Sequence, residues 1–201
     1  MRRAPDVVAL RAKFGAAIER DTVSCGDAIV QLAKGRAHEI LAWLKAEAGY
    51  AYLVDITAVE YRDPELPLEV VWIVRNLSTV QELRCKVALD PKAALAVDSV
   101  VDLWHGADWL EREVFDMFGV TFRGHPDLRR LLMWETYHEG HPLRKAFPLR
   151  GHFSRGEQTR QALAANPEAN YSIEELSIAE AYDDLPEDMR QRLAHGERGN
   201  V

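Results

Sequence analysis

The sequence predicts an α+β protein: an antiparallel sheet with helices packed on it, followed by an extended, mostly irregular C-terminal arm. Three observations carry this expectation. Helix-spaced apolar residues precede three consecutive runs of β-forming residues joined by short turns. One further amphipathic helix ends at a glycine, and beyond it the periodicity fades into a stretch dense in proline and glycine. The expected boundaries are an α+β domain over residues 1–122 and an arm with an acidic tail over 123–201.

In chain order, Asp6 after Pro5 opens a helix with Val7, Leu10, Phe14 and Ile18 on one face. Thr22–Cys25 and Ala28–Leu32 read as short strands around a Gly26–Asp27 turn. From Lys34, residues Ala37, Ile40, Leu41, Leu44 and Ala48 follow helical spacing, and Gly49 stops the run. The segment Ala51–Tyr61 alternates, placing Tyr52, Val54, Ile56 and Ala58 on one side. Leu68–Asn76 follows, its unbroken Val70–Val74 core implying cover on both faces. Val80, Leu83, Cys85, Val87 and Leu89 mark a third strand of an antiparallel meander. A connection over 91–101 leads to a helix opened by Asp108 and closed by Gly119, with Leu110, Val114, Met117 and Phe118 as its apolar stripe. Gly124, Pro126, Gly140, Pro142, Pro148, Gly151 and Gly156 punctuate the irregular arm. A short helix is expected over Pro186–Leu193.

Composition narrows the function. The net charge of −7 opposes general affinity for nucleic acid, although residues 121–160 hold 8 basic against 4 acidic side chains. The tail over 161–201 holds 3 against 9, a distribution suited to touching other protein surfaces. Two cysteines, Cys25 and Cys85, fall short of the roughly four ligands that an iron–sulfur cluster or structural zinc normally takes. No apolar run approaches the ~18 residues of a membrane span, so membrane association is expected only through a partner.

Candidate chemistry falls in three places. His125, His138, His141 and His152, with Glu135 and Glu139, lie in a glycine- and proline-rich region with no helix to fix a ligand spacing, which favours loop histidines over a metal site. Glu111 and Glu113 point about 160° apart on a helix and cannot share a substrate; ion pairing at a packed seam is the expectation. Arg112 lies four residues from both Asp108 and Asp116 and is expected to pair with one of them. Glu113, with Trp109 and Met117 at its i±4 positions, is expected to reach Arg129 or Arg130 instead. Trp72, Trp104 and Trp109 read as core residues, and Trp134, Phe147 and Phe153 as contact residues of the arm.

Read together, the motifs of this region form a longer pattern. Glu111-Arg112-Glu113, Asp116 and Gly119 come first, then His125-Pro126 with Arg129-Arg130. His141-Pro142, Arg144-Lys145 and Phe147-Pro148 follow in order. Together they resemble the C subunit, or thirty-kilodalton subunit, of respiratory complex I, the proton-pumping NADH:quinone oxidoreductase. Tyr52–Tyr61 and Ser99–Trp109 resemble the segments upstream in that family, and the likeness is firm over roughly residues 35–151. Ala146 departs from it, standing where the family often has an acid.

The resemblance implies a scaffold subunit of the peripheral arm on the cytoplasmic face of the bacterial inner membrane. It implies no active site and no cofactor in this chain; FMN and the iron–sulfur clusters belong to other subunits. The fifteen motif residues become an expected assembly interface, chiefly toward the D subunit, with neighbouring quinone-module and iron–sulfur subunits as further partners. The alternatives are an equivalent subunit of a related membrane-bound hydrogenase or complex-I-like dehydrogenase and, from another class, a metal-dependent hydrolase using His125, His138 and His141.

Overall fold

A computed structural model describes residues 5–63, 67–90, 92–134 and 136–165. Helix α1 (Pro5–Phe14) leads into strand β1 (Ile18–Ser24), which turns into β2 (Asp27–Leu32). Helix α2 (Ala37–Ala46) follows, then strands β3 (Tyr52–Val59), β4 (Leu68–Asn76) and β5 (Gln81–Leu89). The chain continues through β6 (Ala96–Asp98), helix α3 (Ala107–Phe118), β7 (Thr121–Arg123) and helix α4 (Arg155–Ala165). The β1–β2 turn sits at Cys25 and Gly26, one residue before the expected place. Both residues have left-handed backbone, φ 53° and 97°, as a two-residue hairpin of matching twist requires.

The five-stranded sheet has the order β1-β2-β5-β4-β3. The meander β3-β4-β5 is antiparallel as expected, but β2 joins β5 in parallel, so the sheet is mixed rather than purely antiparallel. After the hairpin, α2 precedes β3 at the opposite edge, and the returning meander brings β5 alongside β2. Apolar alternation reports which side chains turn inward and is blind to the direction of a neighbouring strand.

One face of the sheet forms the core. Leu68, Val70, Trp72 and Val74 on β4 stand beside Leu89, Val87, Cys85 and Leu83 on β5, all buried. Leu10 of α1 and Ile40, Leu41 and Leu44 of α2 complete this cluster. Burial of such side chains, at about 1.5–3 kcal/mol each, is the main force holding the layers together. The expected face of β3 needs one correction. Its register with β4 shifts between Leu53 and Asp55, a bulge that puts Leu53 opposite Val74 and leaves Tyr52 exposed.

The second face of β4 also differs from the expected double cover. Val71 is buried and Ile73 only half-buried, and their neighbours across β5 are Lys86 and Arg84. Lys86 bonds Glu69 at 2.8 Å and Arg84 bonds Asp27 at 2.6 Å. Aliphatic stems of these long side chains flank the apolar pair while their charged ends meet carboxylates.

The first compact unit runs to His152, well beyond the expected boundary at 122 and 123. Residues 124–152 are irregular, as expected, yet they belong to this unit. The second unit begins at Phe153. Its described part is α4, where the Ser154 hydroxyl accepts the Glu157 N–H at the first turn. The sequence predicts irregular chain here because α4 shows no apolar stripe, and none of its residues is buried. The expected helix over Pro186–Leu193 and the acidic tail lie outside the described residues, as do Glu135 and the turn residues 64–66. Among the described residues, no helix is long and apolar enough to cross a membrane.

Candidate functional site: the acidic helix and its arginine loop

Helix α3 lies against β3 and buries Val114, Met117 and Phe118, with Leu110 partly buried against the core. It starts at Ala107, slightly before the expected Asp108, and ends at Gly119, whose φ of 78° makes the left-handed C-cap. A side chain at Gly119 would also meet the His141 ring, since a Cβ built there lies 2.7 Å from its Cδ2 and Nε2. Conformation and close approach both demand glycine.

Asp116 is the hub. It is fully buried, and its Oδ1 accepts the Arg130 guanidinium at 2.5 Å. Its Oδ2 accepts three consecutive backbone N–H groups: Leu131 at 3.1 Å, Leu132 at 2.8 Å and Met133 at 2.8 Å. A run of amides converging on one oxygen is an anion-binding nest, here filled by the protein's own carboxylate. Desolvation alone would raise this carboxyl. The Met133 amide, the Arg130 guanidinium and the Leu132 and Leu131 amides together hold it below its ordinary value.

Arg112, one turn earlier, turns to the same loop. Its Nε and Nη2 donate to the Arg129 and Arg130 carbonyls at 3.3 and 3.2 Å, and its guanidinium lies over the Trp109 ring, 5.3 Å from the centroid. It does not form the expected pair with Asp108 or Asp116, because the loop carbonyls and the indole occupy it. His125 clasps the start of the helix. Its Nδ1 accepts the Asp127 N–H at 3.0 Å, so the proton sits on Nε2, which donates to the Asp108 carbonyl at 3.2 Å. Asp127 also pairs with Arg129 at 2.8 Å.

The third motif segment caps the other end. The last carbonyls of a helix lack intrahelical partners, and here the loop supplies them. The Asp116 carbonyl receives His141 Nδ1 at 2.9 Å, the Met117 carbonyl the Leu143 N–H at 3.0 Å, and the Phe118 carbonyl Arg144 Nη1 at 3.3 Å. Arg130 Nη2 ties in the turn through the Gly140 carbonyl at 3.1 Å. Arg144 Nε also bonds Glu60 at 3.0 Å, and the second Glu60 oxygen accepts the Lys145 N–H at 2.5 Å. Phe147 packs edge-on against His152, and the Pro148 carbonyl receives the Gly151 N–H.

Glu111 is fully buried on the opposite side of the helix from Glu113. Its Oε1 accepts the Val100 N–H at 2.7 Å, while Oε2 makes no well-formed hydrogen bond. Burial pushes this carboxyl up to about 7 against the opposing pull of the Val100 amide and the Ser99 hydroxyl; Asp102 and Asp108 add to the rise.

Two expectations about this helix are overturned. Glu113 is exposed and reaches neither Arg129 nor Arg130. The acid that binds Arg130 is Asp116, three residues on, whose burial the simple apolar stripe does not reveal. Trp109 is not a core residue: it is 62% exposed, whereas Trp72 and Trp104 are buried. The arm aromatics are partly engaged within the chain, Trp134 edge-on to Tyr137 at 5.0 Å. Pro126 and Pro142 lie in the turns that bend the loop around α3. Lys145 exposes its side chain and engages the loop's anchor through its backbone N–H. Glu60 escapes sequence reasoning, as nothing local at the end of β3 announces a partner 84 residues away.

A domain of this class is an α+β sheet whose one acidic helix is clasped at both ends and along one side by its own irregular loop. The chain belongs to the family of the respiratory-chain NADH dehydrogenase thirty-kilodalton subunit, whose model matches residues 30–153. The C subunit of NADH-quinone oxidoreductase from Citrifermentans bemidjiense is 38% identical over 145 residues, 72% of this chain and 89% of the relative. A solved trypsin-resistant fragment of Nqo5 is 30% identical, with a TM-score of 0.52 over 61% of this chain and 96% of the fragment. A chain in the structure of an archaeal membrane-bound sulfane sulfur reductase, 21% identical with a TM-score of 0.61 over 72% of this chain and 85% of its own length, shares the fold.

Proposed function

We propose that this chain is a scaffold subunit in the peripheral arm of a bacterial proton-pumping NADH:quinone oxidoreductase. Its role is to hold neighbouring subunits, the D subunit foremost, on the cytoplasmic side of the membrane. The observation that carries the reading is the clasp. Asp116, Arg112, Arg130, His141 and Arg144 are engaged with α3 and with each other, which supports a part in shaping a surface rather than in transforming a substrate. The motif residues act on assembly by fixing the course of the 123–150 segment, and the groups that segment leaves exposed make the contacts.

In this reading the chain carries no redox centre. FMN and the iron–sulfur clusters reside in other subunits, which pass electrons from NADH to quinone. Cys25 in the exposed β1–β2 turn and Cys85 buried on β5 beside Val30 support it, since the two thiols are not neighbours. Tagging the chain in its native host and purifying it in mild detergent tests the proposal. The expected preparation oxidises NADH with a quinone acceptor and contains the D subunit, while the isolated chain shows no visible absorbance. Recovery of the tagged chain without other respiratory subunits, or a flavin or iron–sulfur spectrum in the isolated chain, overturns it.

A further inference from the structure

Residues 109, 113 and 116 of α3 are spaced at four and then three positions and share one side of the helix. The loop crosses this side where Leu132 donates its N–H to Asp116. Trp109 is 62% exposed and Leu132 60% exposed, and Glu113, also exposed, falls between Trp109 and Asp116, the acceptor of the Leu132 N–H, along this side of the helix. Glu113 takes part in no ion pair among the described residues. The two apolar groups are held before any partner arrives. Arg112 lies over one face of the Trp109 indole while its guanidinium is bound to two loop carbonyls, and the Leu132 backbone is anchored in the Asp116 nest.

Resting on the scaffold reading above, we propose that the Trp109–Glu113–Leu132 ridge is a docking surface for a folded neighbouring subunit that presents an arginine or lysine beside an apolar pocket. A pre-ordered tryptophan loses little freedom on binding, and tryptophan is among the commonest interface anchors. The Glu113 carboxylate selects a cation: its charge is desolvated once the anchors are covered, and only an opposite charge offsets that cost. A second copy of this chain is a poor occupant, because a two-fold contact would bring Glu113 toward its own equivalent. An anionic lipid surface is disfavoured by the same charge.

Hydroxyl-radical footprinting of Trp109, in the isolated chain and in the purified complex, tests the surface directly. The expected result is a fall in Trp109 oxidation of about tenfold or more on assembly. A photo-crosslinking amino acid at position 109 is expected to capture a peptide of another subunit that contains arginine or lysine. Glu113→Lys is expected to lower incorporation into the complex about tenfold or more, with Glu113→Gln intermediate and the melting temperature of both isolated chains unchanged. Undiminished oxidation of Trp109 in a complex that contains the chain overturns the docking surface and leaves the scaffold reading intact. A crosslink to a second copy of this chain, or to lipid, does the same. Failure of the wild-type chain to enter any complex overturns both.

Discussion

The Asp116 carboxylate meets the Arg130 guanidinium at 2.5 Å while accepting three successive amides of the same loop, so one side chain determines the path of residues 130–133. Arg130 extends that control to the Gly140 carbonyl and lies over the Tyr137 ring at 5.3 Å.

Removing the hub is expected to be severe. Asp116→Ala leaves a guanidinium and three amides without their acceptor, and loss of one partner from a buried charge pair costs about 3–5 kcal/mol. Asp116→Asn puts an amide donor where one oxygen accepted and is expected to cost less but still more than about 1 kcal/mol. Urea denaturation of the isolated chain measures both. A loss under about 1 kcal/mol for Asp116→Ala would show that the nest does not hold the loop. Because the folded-state value of Asp116 is depressed, its contribution is present above the ordinary carboxylate range and declines as pH falls through the folded value.

Glu111 has the opposite sign. Its carboxyl titrates near 7 in the folded chain against an ordinary value of 4.5, so the folded state holds the extra proton between these values. Stability from this group is greatest below about 4.5 and falls as pH rises to about 7, by an upper estimate of about 3 kcal/mol. Glu111→Gln can keep an oxygen for the Val100 N–H without the charge. It is expected to gain stability relative to the parent at about pH 8 and to flatten the slope between about pH 5 and 7, as read by denaturation at a series of pH values. Identical pH profiles for parent and variant would place the titration elsewhere.

Gly119→Ala combines a left-handed backbone with a Cβ only 2.7 Å from the His141 ring. A loss of about 1–2 kcal/mol is expected. Thermal unfolding reads it, and an unchanged midpoint would mean that both the backbone and the ring yield freely.

Glu60 anchors the far end of the loop through Arg144 and the Lys145 amide. In Glu60→Ala, hydrogen exchange at the Lys145 amide is expected to accelerate at least about tenfold, with amides of β4 unaffected. Equal acceleration throughout the sheet would indicate global destabilisation rather than local release.

At the hairpin, Cys25→Asn replaces a residue strained at φ 53° with one that tolerates that conformation. A gain of about 0.5 kcal/mol is expected in denaturant titration under reducing conditions. A loss would assign Cys25 a packing role that its exposure does not suggest.

The elements themselves were largely legible in the chain. Apolar spacing located α2, β4 and α3, and Gly119 marked the helix end, because burial and backbone conformation act on each residue separately and leave a periodic trace. The family motifs were legible as well, and they prove to be one helix and two later segments wrapped around it. The pairings inside that unit were not legible. Helical geometry separates Glu111 from Glu113 but does not say which acid a distant arginine will reach. Spacing alone makes Asp116 a local partner of Arg112, yet it binds Arg130 and the amides that follow it.

What the sequence determined by itself, then, was an α+β chain with a buried apolar face, an acid-rich helix and a basic irregular segment beyond it. The parallel contact between β2 and β5, the bulge that turns Tyr52 outward, the burial of Glu111 and Asp116 and the exposure of Trp109 and Glu113 were decided only in three dimensions. The physical reason is range. Periodicity encodes which way a side chain points from its own backbone, whereas a charge is buried only if donors from remote segments converge on it, and those donors are assembled by the fold.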